Sequence, residues 1–149
     1  MQNVDIKSVV KDGKLRVPYN PKTLQGFLDL KDLAEVASEV ILNPANHNLA
    51  TYELVGENTT LESVAQMPII HQFRGLSDTR CELVPRDKLL ESGMVHLKVQ
   101  GPDMREGLGR MLYYYDRRGI PGNSNTIRWL LGRSATTWEG FIQREAWMY

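Results

Sequence analysis

The 149 residues have the composition of one soluble globular domain, with 42% hydrophobic and 24% charged side chains. Lys and Arg (18) balance Asp and Glu (18), which argues against nucleic-acid binding because phosphate contacts usually require a basic excess. The single cysteine excludes an intramolecular disulfide, and the three dispersed histidines argue against a metal site. The sequence has no apolar run of membrane-spanning length and no signal pattern, so it predicts a cytoplasmic protein without a membrane segment.

The N-terminal segment SVVKDGKLRVPY places Asp12-Gly13 between two short apolar runs. Asp-Gly pairs accept the positive φ of tight turns, so this segment predicts a β-hairpin. Pro18 and Pro21 follow, and they predict an extended connection toward Phe27.

Residues 27–44, FLDLKDLAEVASEVILNP, carry the most regular helical pattern of the chain. Asp29 is suited to cap the helix, and Asp32 places a second negative charge in its first turn. One apolar face follows the helical repeat and comprises Leu30, Leu33, Ala34, Ala37, Val40 and Ile41. Asn43-Pro44 ends the predicted helix.

The middle of the chain predicts short elements. Residues 50–56 alternate and carry β-favouring side chains, which predicts a strand. The capping box at residues 59–62 predicts a short helix through Ala65, whose far end is left open by Pro68. Residues 80–84 predict a second strand, residues 87–90 one helical turn, and the alternation in MVHLKV a further strand.

Three helices are predicted in the C-terminal third. The first opens at residues 103–106, carries the apolar stripe of Met104, Leu108, Met111, Leu112 and Tyr115, and ends at Gly119 and Pro121. The second starts at Asn125 and ends at Gly132. A capping box at residues 136–139 starts the third, whose core face comprises Trp138, Phe141, Ile142 and Ala146.

Three segments in this order resemble the C-terminal part of the NmrA-like family of atypical short-chain dehydrogenase/reductases. They are FLDLKDLAEVASEVILNP, with Asp32-Leu33-Ala34 at its centre, ATYELVGENTTLESVA, and NTIRWLLGRSATTWEGFI. The resemblance covers roughly residues 14–66 and 103–142. It implies a Rossmann-type sheet joined to a smaller substrate-side region.

The nucleotide-binding half that this resemblance implies has no counterpart in the chain. A Rossmann domain needs a G-x-G-x-x-G turn, whereas Gly107-Leu-Gly109 continues with Leu112 inside a predicted helix. Tyr19 and Lys22 are one residue too close for a Y-x-x-x-K pair. The chain is therefore either a fragment of a longer reductase or, as we favour, a short protein descended from the substrate-binding half.

The expected fold is a single α+β domain over residues 1–149. A small remnant of a Rossmann-type sheet, with the N-terminal hairpin, would be packed by four to five helices. Such a remnant leaves a strand edge and an apolar face uncovered, so we predict a homodimer that covers them.

His71, Tyr114 and Arg110 are the predicted catalytic residues. Tyr114 and Arg110 are four residues apart, and a cation beside a phenol favours the phenolate needed for acid/base work. His71 titrates near neutrality and can act as a general base. Each also has a structural interpretation, in which the tyrosine packs in the core or a dimer seam and the histidine is a structural hydrogen-bonder.

Tyr113, Trp129, His96 and Phe73 are the predicted substrate-binding residues, because aromatic and imidazole rings can wall an apolar pocket. The tryptophans have the alternative of joining the terminal helices to the body of the domain. The resemblance implies a hydrophobic substrate of polyketide or terpenoid type, because many family members serve secondary metabolism.

The predicted function is a cofactor-independent isomerase, cyclase or dehydratase of such a metabolite. Losing the dinucleotide half while keeping the substrate half leaves a cavity that can position a substrate and transfer protons. The alternatives are a C-terminal fragment of a nicotinamide-dependent NmrA-like oxidoreductase and a non-catalytic regulatory or binding protein.

Overall fold

A computed structural model of the protein describes residues 1–2, 4, 6–75, 78–96 and 101–146. Its strands are β1 (Lys14–Val17), β2 (Gln25–Phe27), β3 (Glu57–Thr59) and β4 (Arg80–Leu83). Its helices are α1 (Ile6–Asp12), α2 (Leu30–Leu42), α3 (Pro44–His47), α4 (Leu61–Ala65), α5 (Pro68–Arg74), α6 (Arg86–His96), α7 (Pro102–Arg117), α8 (Asn125–Leu131) and α9 (Trp138–Ala146).

The described strands form two small sheets. β1 pairs with β4 in parallel, from Lys14 opposite Arg80 to Val17 opposite Leu83. β2 pairs with β3 in antiparallel register. The prediction of an α+β fold with a small sheet remnant is confirmed, although the helices are more numerous than the four to five predicted.

The predicted N-terminal hairpin is wrong, because the segment before Gly13 is helix α1. Gly13 has the positive φ (+73°) that Asp12-Gly13 indicated, but it ends a helix there and its N–H donates to the Val9 carbonyl at 2.9 Å. The Arg74 guanidinium donates to the Val9 and Val10 carbonyls near the end of α1, at 3.2 and 3.1 Å. A helix end and a hairpin turn share the same local signal, and here distant contacts select the helix.

Helix α2 forms where it was predicted, with Asp29 as its N-cap accepting from the Lys31 N–H. Its predicted apolar face is nevertheless turned outward: Leu30 is 56% exposed and Ile41 75% exposed. The side chains that α2 buries are Asp32 and Val36. Polar anchors on the other side of the helix, described below, set this orientation.

Several middle elements differ from their predictions. Residues 50–55 have no regular structure, so the strand predicted for residues 50–56 is wrong there. The strand forms directly afterwards, as β3. Thr60, rather than Thr59, caps α4 and accepts from the Ser63 N–H. β4 confirms its prediction. The strand predicted for MVHLKV is wrong for Met94 to His96, which continue α6; the rest of that motif lies outside the described residues.

The three C-terminal helices are confirmed, and α9 completes the core. Trp138 and Ile142 are fully buried on its inner face, together with Phe141. The core cluster is formed by Met1, Ile6, Val9, Leu15, Val17, Leu61, Val64, Ala65, Ile69, Ile70, Trp138, Phe141 and Ile142. Fully burying one large apolar side chain stabilises a fold by about 1.5–3 kcal/mol. Within the described ranges no helix has the length and apolar character to cross a membrane.

Candidate functional site: a cleft at the strand ends

The carboxyl ends of β1 and β4 open onto a cleft. Because the two strands are parallel, both end at the same edge of their sheet, and the chain leaves them at Pro18 and Val84. Open α/β sheets place ligands at this edge. A cavity of about 350 Å³ lies here, and its lining comprises Pro18, Leu83, Val84, Pro85, Arg86, Leu112, Tyr113 and Asp116.

A second cavity of about 380 Å³ adjoins the first and shares Pro18 and Leu112 with it. Its walls come from β1, β2 and α7, and include Val17, Tyr19, Gln25, Phe27, Leu61, Met111, Tyr115 and Ile120. We call the two cavities together the strand-end cleft. Most of its lining is aliphatic or aromatic, as in sites that bind small apolar ligands.

Helix α7 walls the cleft because its C-terminal end is bound to the segment around β2. The buried Gln25 side chain donates to the Tyr115 carbonyl at 2.9 Å and accepts from the Ile120 N–H at 3.1 Å. Thr23 donates to the Asp116 carbonyl at 2.7 Å. The Thr23 bond satisfies a carbonyl at the end of the helix. The Gln25 amide adds a second donor to the Tyr115 carbonyl, which also accepts from the Gly119 N–H at 3.2 Å.

Gly119 allows this close approach. Its φ is +67°, and a Cβ at this position would lie 1.9 Å from the Leu24 carbonyl oxygen. A side chain is therefore excluded by both conformation and space. The position of α7 beside the cleft depends on this glycine.

Two tyrosines meet inside the cleft. The rings of Tyr19 and Tyr115 pack edge to face with centroids 5.9 Å apart. Burial, with a smaller contribution from Tyr115, raises the pKa of Tyr19 to about 12. At neutral pH Tyr19 is thus an uncharged phenol that can donate a hydrogen bond but does not act as a base.

The charged side chains that line the cleft all have partners. Arg16 forms an ion pair with Asp12 at 3.0 Å. Arg86 donates to the Gly109 carbonyl, and the Asp116 carboxylate accepts from the backbone N–H of Asn20 at 2.7 Å. The cleft therefore combines apolar walls and phenol groups with three charged side chains that each make at least one hydrogen bond within the fold.

Of the predicted site residues, Tyr113 lies in this cleft. The Tyr113 side chain is also partly exposed to solvent, and the Arg117 guanidinium lies over its ring, 5.0 Å from the ring centroid. Arg110 and Tyr114 lie on exposed parts of α7, and Arg110 is bound to Glu106 at 2.5 Å. Arg110 borders a shallow open depression of about 230 Å³ outside the cleft.

His71, Phe73 and Trp129 do not line the strand-end cleft. His71 and Phe73 lie on α5, which packs against α1 and α9, and the His71 Nε2 is buried without a hydrogen-bond partner among the described residues. Trp129 is 68% exposed on α8, with its ring 6.3 Å from that of Tyr52. The side chain of His96 lies outside the described part. The catalytic roles of His71, Tyr114 and Arg110 stay predictions.

Comparisons with known proteins place the fold. The sequence matches no protein-family model, and no curated protein matches it. The structure is similar to the crystal structure of a nucleoside-diphosphate-sugar epimerase from Staphylococcus aureus, with a TM-score of 0.68 and 19% sequence identity. The match covers 93% of this chain and 46% of the epimerase, so the chain spans about half the length of that protein. At this identity the likeness establishes the fold.

Sequence reasoning missed Tyr19, Gln25 and Tyr115 as site residues. Tyr19 was considered for a Y-x-x-x-K pair, and Tyr115 was assigned to an apolar stripe. Recognising β1 as a parallel strand would have pointed to the residues that follow Val17, because ligands bind beyond the carboxyl ends of such strands. Among the described residues no group of His, Cys, Asp and Glu side chains is arranged to hold a metal ion.

Proposed function

We propose that this chain is the substrate-side part of an NmrA-like protein and binds a small, largely apolar metabolite in the strand-end cleft. The observation that carries the proposal is the cleft itself, which lies at the carboxyl ends of β1 and β4 and has apolar walls. The three sequence segments that resemble the family and the fold shared with part of the epimerase support it.

Filling the cleft tests the proposal. Leu112 lines both cavities, so Leu112→Trp will occupy the space that a ligand needs. Leu42→Trp, at an exposed position on α2, is the matched control. Small polyketide- and terpenoid-like compounds are titrated while backbone NMR shifts are recorded. We expect Leu112→Trp to weaken binding at least tenfold and Leu42→Trp to leave it unchanged; equal affinity in both variants would refute the proposed site.

A second candidate function is cofactor-free catalysis, as an isomerase, cyclase or dehydratase of secondary-metabolite biosynthesis. The protonated phenol of Tyr19 in an apolar cleft favours this candidate, because such a group can polarise a carbonyl or supply a proton. This candidate predicts turnover without nicotinamide, and we expect Tyr19→Phe to lower that turnover at least 100-fold while ligand binding is retained. Turnover that requires NADPH would instead support the oxidoreductase-fragment alternative.

A homodimer is the proposed assembly. The outward face of α2 carries Leu30, Ala34, Ala37 and Ile41 at helical spacing, and all four are exposed. An exposed stripe of this kind favours association, since burying it against an identical stripe removes apolar surface from water on both copies. The nucleotide-binding half of a longer protein would be the competing occupant of this face.

A further inference from the structure

Two phenol hydroxyls belong to side chains that line the second cavity of the strand-end cleft. The Tyr19 and Tyr115 hydroxyls form no hydrogen bond to another residue in the described part of the chain. Gln25, by contrast, uses both atoms of its side-chain amide for the Tyr115 carbonyl and the Ile120 N–H. A partly buried hydroxyl without a partner is destabilising unless water or a ligand satisfies it.

The charged groups around the cleft already make hydrogen bonds or ion pairs within the fold. Arg16 and Arg86 are held by the Asp12 carboxylate and the Gly109 carbonyl. Asp116 is occupied by the Asn20 N–H, and the Met1 amino group donates to the Leu28 carbonyl at 2.8 Å. An ionised ligand would lose its hydration against walls that are mostly aliphatic or aromatic, which costs more free energy than the same loss for an uncharged ligand.

We propose that the cleft selects uncharged ligands that carry a carbonyl, ether or hydroxyl oxygen, and that the Tyr19 hydroxyl donates a hydrogen bond to that oxygen. This inference rests on the proposed function, because it specifies the ligand class of the same cleft. The edge-to-face contact with Tyr115 holds the Tyr19 ring, so the hydroxyl is oriented before the ligand arrives. Tyr19 stays protonated across the physiological pH range, which keeps it a donor.

Three probes of similar size test the inference: the ketone 1-tetralone, the hydrocarbon tetralin and the anion 1-naphthoate. Their dissociation constants are measured by NMR titration on the wild type, Tyr19→Phe and the control Tyr52→Phe, which removes a hydroxyl bound to His47 on another part of the fold. We expect Tyr19→Phe to weaken 1-tetralone about tenfold and tetralin less than twofold, as for the loss of one hydrogen bond. Tyr52→Phe will change neither value.

The outcomes separate this inference from the proposed function. If Leu112→Trp blocks binding of the ketone but Tyr19→Phe leaves its dissociation constant unchanged, the proposed hydrogen bond is wrong and the cleft remains the binding site. Wild-type binding of 1-naphthoate as tight as that of 1-tetralone overturns the selection for uncharged ligands, and needs no variant to fold. If Leu112→Trp blocks none of the probes, the proposed function fails as well.

Discussion

Replacing Asp29 by Asn will remove the negative charge that joins α2 to α9. The Asp29 side chain is fully buried, and one carboxylate oxygen accepts from the Arg144 guanidinium at 2.6 Å. The other oxygen accepts from the Gln2 amide at 2.7 Å and from the Lys31 N–H at 2.9 Å. The substitution therefore keeps the shape of the N-cap but leaves Arg144 without its buried counter-ion.

The magnitude follows from these contacts. Removing one partner of a fully buried ion pair costs about 3–5 kcal/mol. The Arg144 side chain is 27% exposed, so water replaces part of the lost interaction, and the Asn oxygen still accepts from the Lys31 N–H. We expect the free energy of unfolding to fall by about 2–3 kcal/mol, and the Tm by roughly 4–12 °C.

Urea unfolding followed by circular dichroism measures this loss. Asp87→Asn is the matched control, because the Asp87 side chain is 87% exposed and lies 3.8 Å from its partner, Arg105. This substitution will change the free energy of unfolding by less than about 0.5 kcal/mol. A double-mutant cycle with Arg144→Met will give a coupling above about 1 kcal/mol. Additive single effects, or a loss no larger than that of the control, would refute the reasoning.

The same pair gives a pH dependence with a defined sign. Burial alone would raise the pKa of Asp29, but the hydrogen bonds from Arg144, Lys31 and Gln2 outweigh it and hold the pKa below its usual value. A carboxylate with a lowered folded pKa stabilises above its unfolded pKa of about 3.9 and loses that contribution as the pH falls through the folded value. The stability difference between wild type and Asp29→Asn will stay constant from about pH 5 to 7 and shrink below about pH 4. A difference that persists unchanged in acid would contradict this assignment.

Three further predictions address other parts of the chain. Gly119→Ala will lower the free energy of unfolding by more than about 2 kcal/mol, because its Cβ would lie 1.9 Å from the Leu24 carbonyl oxygen. Gly107→Ala, in open space on α7, is the control and will raise the free energy of unfolding by up to about 1 kcal/mol. Equal effects of the two substitutions in urea unfolding would refute this. Ile41→Glu will give a monomer where the wild type elutes as a dimer in light-scattering chromatography, and a monomeric wild type would contradict the proposed assembly. Burial raises the pKa of Cys81 from 9.0 to about 11, so its alkylation by iodoacetamide at pH 8 will be about 100-fold slower in folded than in urea-unfolded protein; comparable rates would refute the shift.

Helix ends were predictable from the sequence because their chemistry is local. Asp29 caps α2 through the N–H of a residue two positions away, and Gly132 ends α8 in the left-handed conformation that glycine favours. Gly119, with positive φ, likewise follows α7. Signals of this kind require no knowledge of distant residues.

Strand pairing was not predictable, and the cleft was missed with it. The partner of β1 is β4, more than 60 residues later, while Asp12-Gly13 offered a nearer explanation as a hairpin turn. A parallel pair needs a crossover, which here runs through β2, α2 and further helices. Because the cleft exists only where the ends of these two strands meet, its residues could not be recognised without that pairing.

The orientation of α2 shows why a helical repeat alone does not identify the core. Periodicity locates an apolar face, but the buried face of α2 is chosen by Asp32, whose carboxylate accepts from the Thr136 N–H at 2.6 Å and from the Arg133 guanidinium at 2.8 Å. Both partners lie more than 100 residues away in sequence. A buried carboxylate with three hydrogen bonds, one of them from the Thr136 hydroxyl, is costly to expose, so α2 turns this side inward. Its apolar stripe must then face outward, where it is available for the homodimer contact proposed above.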